Sequence, residues 1–256
     1  MRRRSLRLIS WIFFLFAIAV ISIFMLADSQ PYRAIFKPSQ VWAHRGYTEN
    51  HAQNSIPAFR EAIRLGASGV EMDVYWDDSL HTFVISHDKP YRLPYGQILT
   101  LPMVMDSLPV QELFLWLDLK NLNKENAAVI IDSLQSLLAK HGAQKQVFVE
   151  SENGWQLRKL DKVGIRTLYW VQYARSFPKK YIKLTYIKAM LLCSDFDGIS
   201  TAYYLYDTSF QLNFSNYPIF VWYINDAEKI RDLIYNQPVN VVLTNTNLFY
   251  LNQRDQ

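Results

Sequence analysis

Between Trp42 and Asp88 the chain sets out five side chains able to do acid-base and metal chemistry: His44, Arg45, Glu71, Asp73 and His87. In Gly69-Val-Glu-Met-Asp-Val-Tyr75, Val70, Met72 and Val74 alternate with Glu71 and Asp73. A period of two is that of a β-strand and puts both acids on one face. The apolar face must be buried, which leaves two carboxylates side by side on the inner face of a packed strand. At ~4 Å and an effective dielectric of ~20 such a pair repels by roughly 4 kcal/mol. An arginine, a lysine or a hard divalent cation with oxygen ligands would each relieve that repulsion. A Glu-x-Asp standing alone is more often a solvated strand edge.

Here it does not stand alone. His44 and Arg45 follow the apolar Val41-Trp-Ala43 and precede Gly46, where a short strand passes into a loop. His87-Asp88 ends a second apolar run, Thr82-Phe-Val-Ile-Ser86, in the same position. Six residues, Trp76 to His81, separate that run from the carboxylate strand. This is too few for a parallel crossover, so the two strands form an antiparallel hairpin turned by Asp77-Asp-Ser79. The hairpin brings His87 back toward the acids. Two histidines, an arginine and a metal-competent acid pair then face one pocket, a set suited to in-line attack on a phosphodiester.

At these residues the sequence resembles the glycerophosphodiester phosphodiesterase family. The resembling stretches are His44-Arg-Gly46, Gln53-Asn-Ser-Ile-Pro-Ala-Phe59, Gly66-Ala-Ser-Gly-Val-Glu-Met-Asp-Val74 and Val84-Ile-Ser-His-Asp88, in family order and spacing. Weaker echoes run on to Asn245. The resemblance implies hydrolysis of a glycerophosphodiester in a (β/α)8 TIM barrel, with His44 and His87 as acid and base and Arg45 stabilising charge. It further implies one divalent cation, Ca2+ or Mg2+, held by Glu71, Asp73 and a third acid. In Leu113-Phe-Leu-Trp-Leu-Asp-Leu-Lys120 the leucines share one face, so Trp116, Asp118 and Lys120 share the other. Asp118 stands where the family usually has Glu, one methylene shorter, and the similar sphingomyelinase D group has Asp-x-Lys there. An Asp-Lys salt bridge closing the barrel is the bland alternative.

Lys120, Glu150 and Trp222 are the candidate substrate contacts. Strand register leaves open whether Glu150 or Ser151 turns inward, and Glu150 competes with Asp118 for the third ligand position. Trp222-Tyr-Ile-Asn-Asp226 resembles the family segment whose Trp packs on the substrate's apolar part. Two acids of the family pattern are replaced, by Gln53 and by Asn245. His51, His81 and His141 are surface or turn residues by their surroundings; Tyr203, Tyr204 and Tyr206 are candidates for lining the mouth, with aromatic packing the commoner explanation.

The scaffold follows from the rest of the chain. Residues 1–27 hold Arg2, Arg3, Arg4 and Arg7, then twenty residues, Leu8 to Ala27, whose only polar members are Ser10 and Ser22. At ~1.5 Å per residue that is a helix of about 30 Å, the thickness of the hydrocarbon core. It predicts an uncleaved single-pass anchor, with the arginines cytoplasmic and the body periplasmic or extracellular. A cleaved signal peptide has a shorter apolar region and small residues at its cleavage site, which Met25-Leu-Ala27 fits poorly. Residues 28–39, with Pro31 and Pro38, form a stalk, and 40–256 the catalytic domain.

In that domain eight strand-like runs alternate with helix-compatible stretches at Ser55 to Leu65, Lys124 to His141, Gly154 to Val163, Lys179 to Leu192 and Asp226 to Tyr235. Eight parallel strands with functional residues at their C-terminal ends predict the TIM barrel over the competing doubly wound open sheet, with the hairpin as an arm at its C-terminal mouth.

Charge excludes one class of partner. Of 27 Lys+Arg and 23 Asp+Glu, four arginines and no acids lie in residues 1–27, so the body carries 23 of each sign. The basic pI is a topology signal, and nucleic acid is not an expected partner. The partners expected are a small phosphodiester or lysolipid substrate and, through the helix, a membrane. A lone Cys193 rules out an internal disulfide. A barrel that has lost turnover and only binds a phosphorylated ligand is the competing reading, as is lysophospholipase D-like or sphingomyelinase D-like activity.

Overall fold

A computed structural model describes residues 2–32, 34–172 and 176–253, and of these the side chains other than those of 2–9, 13 and 253. The side chains of the arginine cluster, and Arg33 in the stalk, therefore lie outside the described residues. The strands are β1 (Gln40–Ala43), β2 (Gly69–Asp77), β3 (Thr82–Ile85), β4 (Phe114–Leu119), β5 (Val147–Ser151), β6 (Arg166–Trp170), β7 (Gly198–Ala202), β8 (Ile219–Trp222) and β9 (Val239–Thr244). The helices are α1 (Arg2–Asp28), α2 (Ile56–Arg64), α3 (Leu101–Ser107), α4 (Ala127–His141), α5 (Gly154–Asp161), α6 (Lys179–Leu192), α7 (Thr208–Phe214) and α8 (Ala227–Asn236).

The sheet order is β1-β9-β8-β7-β6-β5-β4-β2-β3, and pairing of β1 with β2 closes it. Apart from β3, every strand pairs in parallel, giving the eight-stranded barrel the alternating pattern predicts. β3 runs antiparallel on β2 with Val74 opposite Ile85 and Asp77 opposite Thr82, so the hairpin arm is present. Its turn is held by the Asp77 carboxylate, which accepts from the Ser79 and Leu80 amides at 2.9 and 3.0 Å.

Two helices are absent from the sequence reading. α3 and α7 each have seven residues, under two turns, too few for an apolar period to be recognised. α7 is held by Phe210 and Phe214, one turn apart and both buried.

Alternation sorts the strands' side chains into two cores. Outward residues such as Val70, Met72, Leu115 and Leu117 meet the helices. Inward residues Trp42, Trp116, Phe148, Leu168, Phe220, Val241 and Leu243 fill the lower barrel, with Phe36 from the preceding segment packed among them. Aromatics this large fit because small residues face them. A Cβ on Gly69 would lie 2.3 Å from the Trp42 ring, and one on Gly198 would lie 3.1 Å from Phe220. The barrel interior is thereby solid below and polar only at the top.

Candidate active site

The polar layer follows the aromatic one along the strands, with Asp118 two residues beyond Trp116 and Glu150 two beyond Phe148. β2 places Glu71 and Asp73, β4 places Asp118 and β5 places Glu150 on the inner face, with Asp73 opposite Asp118 and Asp118 opposite Glu150 in register. The loop after β1 delivers His44 and Arg45, and the strap after β3 delivers His87. These residues, with Lys120 and the indoles of Trp116, Trp170 and Trp222, line one cavity of about 170 Å³ at the C-terminal mouth. Eight of the nine sequence-predicted site residues line the cavity, and the ninth, Asp73, is fully buried beside them.

Local backbone shape aims the first loop. Arg45 and Gly46 both take left-handed conformations, with φ of 57° and 80°. Such a conformation at a non-glycine residue costs of order 1 kcal/mol. Here it directs the Arg45 amide to the Glu71 carboxylate at 3.0 Å while the guanidinium turns to Asp73 at 2.8 Å. A side chain at Gly46 would meet the α2 backbone at Ala58, 2.7 Å away.

The acids form one group. One carboxylate oxygen from each of Glu71, Asp73 and Asp118 lies within 4.8 Å of the others. Two cations face them: Arg45 on Asp73, and Lys120, which bridges Asp118 and Asp73 with 2.7 Å to the latter. Burial works against the Lys120 ammonium, but Asp118 and Asp73 outweigh it and raise its pKa. Burial also opposes the Asp73 carboxylate, and Lys120 and Arg45 outweigh it and lower its pKa. Glu71 has no such partner. Burial, then Asp73 and Asp118, push its carboxyl well above the usual carboxylate range. Three carboxyl groups against two fixed cations leave the cluster one positive charge short, and Glu71 is the member without a cation of its own. The donors are all hard oxygens, with no cysteine among them, which fits Ca2+ or Mg2+ and disfavours zinc.

Glu150 turns inward, which settles the register left open between it and Ser151. Trp116 Nε1 donates to one of its oxygens at 3.0 Å and Ser200 Oγ to the other. Burial, then Asp118, raises its pKa to about 8. Because both of its oxygens are engaged, Asp118 is the better placed third acid.

The histidines differ in setting. His44 is buried, stacked on Tyr223 with ring centroids 4.6 Å apart, and its Nδ1 lies 3.0 Å from Asn245 Oδ1. Its Nε2 faces Glu71 at 3.9 Å. Burial, then Arg45, lowers its pKa to about 4. His87 is more open, with Nδ1 bonded to Asp88 at 2.7 Å, and Arg92 holds Asp88 in turn at 2.6 Å.

Asn54 is the residue that neither period nor composition singles out. It is buried and clamps Asp73 from both sides, donating to Oδ2 at 2.8 Å and accepting from the Asp73 amide at 3.2 Å. Asn245, read from sequence as a missing acid, is the partner that orients His44, and Asn225 accepts from its amide at 2.9 Å. Gln53 likewise keeps a role, accepting from Arg45 Nη1 at 3.1 Å.

Residues 44–93 match the Glycerophosphoryl diester phosphodiesterase family. The chain resembles these enzymes in its site-bearing segment and in its fold. A glycerophosphodiester phosphodiesterase of Caldanaerobacter subterraneus subsp. tengcongensis is 47% identical over 57 residues, 22% of this chain and 24% of the relative. The match therefore spans about a quarter of that relative's length. Among solved structures, a glycerophosphodiester phosphodiesterase of Parabacteroides distasonis superposes with a TM-score of 0.65 at 20% identity, covering 86% of this chain and 99% of its own. An Oleispira antarctica phosphodiesterase, solved with its product sn-glycerol-3-phosphate, gives the same score and identity over 86% and 98%. The Thermotoga maritima glycerophosphodiester phosphodiesterase gives 0.64 at 20% over 84% and 98%. At these identities the whole-domain likeness to the family is one of fold.

Proposed function

We propose that the mouth of this barrel hydrolyses a glycerophosphodiester to glycerol phosphate and an alcohol. The observation that carries the reading is the meeting, at one cavity, of two histidines and two fixed cations with an acid triad of which Glu71 and Asp118 line the wall. Glu71, Asp73 and Asp118 would hold a divalent cation, which when bound supplies charge neutralisation for the phosphate oxygens. Arg45 and Lys120 add fixed positive charge beside it, where the phosphorane develops negative charge.

The hydrogen bonds support a division of labour between the histidines. Asn245 Oδ1 is an acceptor, so His44 carries its proton on Nδ1 and its lone pair on Nε2, facing the cavity. His44 is then the general base that takes the proton from the attacking hydroxyl, which by the family resemblance is the substrate's own glycerol hydroxyl; the alcohol departs, and water opens the cyclic phosphate left behind to give glycerol phosphate. His87, anchored through Nδ1 to Asp88, protonates the departing oxygen. Trp170, Trp222 and Tyr223 give the cavity an aromatic wall for the apolar or quaternary-ammonium part of a substrate.

Purified protein with Mg2+ or Ca2+ should release glycerol phosphate from glycerophosphocholine. A barrel that binds the diester without turning it over would support the binding-module reading instead.

Ser10–Asp28 is one helix long and apolar enough to cross a membrane. We assign it as an uncleaved anchor, with the catalytic domain on the extracytoplasmic side. A phosphatase reporter fused to the C-terminus should be active outside the cytoplasm. Cytoplasmic fluorescence of a C-terminal fusion, or soluble protein lacking residues 1–27, would contradict it.

A further inference from the structure

The χ2 torsion of a histidine is soft, without sharp staggered wells, so a side chain that must aim one ring nitrogen needs its plane fixed from outside. His44 has one side-chain hydrogen bond for the purpose, between Nδ1 and Asn245 Oδ1 at 3.0 Å. A single bond at one edge holds a point and leaves the ring free to tilt about it. The second constraint is Tyr223, whose ring lies parallel to the imidazole to within 3°, with 4.6 Å between centroids. That is an offset stack. Tilting the imidazole about the Asn245 bond would drive one of its edges into the phenol ring.

Tyr223 covers His44 without being buried itself. It is 47% exposed, whereas His44 is 8% exposed. The backbone on either side holds the ring in place. Trp222 ends β8 and pairs with Ala202 of β7. Ile224 is buried and donates its amide to Leu243 O at 3.1 Å. Asn225 Oδ1 then accepts from the Asn245 amide at 2.9 Å and from Thr244 Oγ1 at 3.3 Å. Asp226 caps α8, accepting from the Glu228 and Lys229 amides at 3.0 and 3.2 Å.

The loop from β8 to α8 thus presents the Tyr223 ring and, through Asn225, also fixes the residue that holds His44 Nδ1. One braced unit supplies both constraints on the imidazole, its plane and its edge. With both defined, Nε2 stays turned to the cavity, on the side of Glu71 at 3.9 Å.

We propose that Tyr223 is a positioning residue for the general base, setting the plane of the His44 ring and acting on turnover through it. The assignment rests on the phosphodiesterase reading; the stack does not. Nuclear magnetic resonance of full-length protein carrying isotope-labelled histidine tests the stack. An aromatic ring over the imidazole face shields its protons, so the His44 ring resonances, identified by their loss in His44→Ala, should move downfield in Tyr223→Leu and return in Tyr223→Phe. Resonances that stay in place in Tyr223→Leu overturn the proposal.

Kinetics on glycerophosphocholine test the consequence. Tyr223→Leu should lower kcat by roughly ten- to 100-fold, the scale of a misplaced reacting group, with KM within about twofold of wild type. Tyr223→Phe keeps the stacked ring and should restore kcat. In a His44→Ala background Tyr223→Leu should cost nothing further, because a residue that acts through His44 has nothing left to position. Unchanged kcat in Tyr223→Leu, with or without a raised KM, or an undiminished loss in the His44→Ala background, would make Tyr223 a substrate contact or a bystander and overturn the proposal. Wild-type protein inactive on the diester refutes the phosphodiesterase reading, and the His44 resonances still decide whether Tyr223 sets the ring.

Discussion

His44→Ala should lower kcat by ~100 to 10,000-fold, the usual worth of a general acid or base, and leave divalent-cation affinity nearly unchanged. His87→Ala should do the same on natural diesters. The two variants part company on a glycerol diester with a nitrophenol leaving group, which departs without needing a proton. On that substrate His87→Ala should recover most of its lost activity and His44→Ala should recover none. The opposite pattern would exchange the roles argued from Asn245 and Asp88. If either variant retains more than about a tenth of wild-type turnover on glycerophosphocholine, below the expected catalytic loss, the two-histidine mechanism is wrong for this protein. The pH profile gives a second check. Burial and Arg45 hold His44 neutral down to about pH 4. Its protonation, which removes the base, therefore belongs to an acid limb of kcat/KM that falls well below the ordinary imidazole range.

Chelation should abolish turnover, and added Ca2+ or Mg2+ should restore it. The physical ground is the positive charge the triad lacks: Arg45 and Lys120 pair with Asp73 and Asp118, while among the described residues Glu71 has the Arg45 amide and, at 3.9 Å, the His44 ring. A cation bound there also favours the folded state by mass action, so the melting temperature should rise with its concentration. Glu71→Gln removes the carboxyl that the cation would bind and should erase that rise. Asp118→Asn should weaken cation binding in calorimetric titration by more than about tenfold, the scale that even outer-shell changes produce. Turnover that resists chelation would sink the metal site. Full cation affinity in Asp118→Asn would transfer the third ligand to Glu150, despite the Trp116 and Ser200 hydrogen bonds that occupy its oxygens.

Local periodicity carries information about faces, and the faces were legible. The alternation around Glu71 and Asp73 places both acids inside the barrel, the leucines of β4 meet the helices, and a six-residue gap is enough to require the hairpin that returns His87. Eight strand-like runs between helices define the barrel, and a long apolar stretch defines α1. Each of these follows from steric and solvation rules that act within about ten residues. What lay outside their reach joins residues far apart in the chain. Asn54 clamps Asp73, Lys120 bridges Asp118 to Asp73, Asn245 orients His44 from the last strand's end, and Tyr223 stacks on its ring. The inward turn of Glu150 belongs to the same class. Register between strands and the packing of one element on another depend on side-chain volumes and charges that meet only when the barrel closes, so the sequence determined the chemistry available and the tertiary structure decided which groups share it.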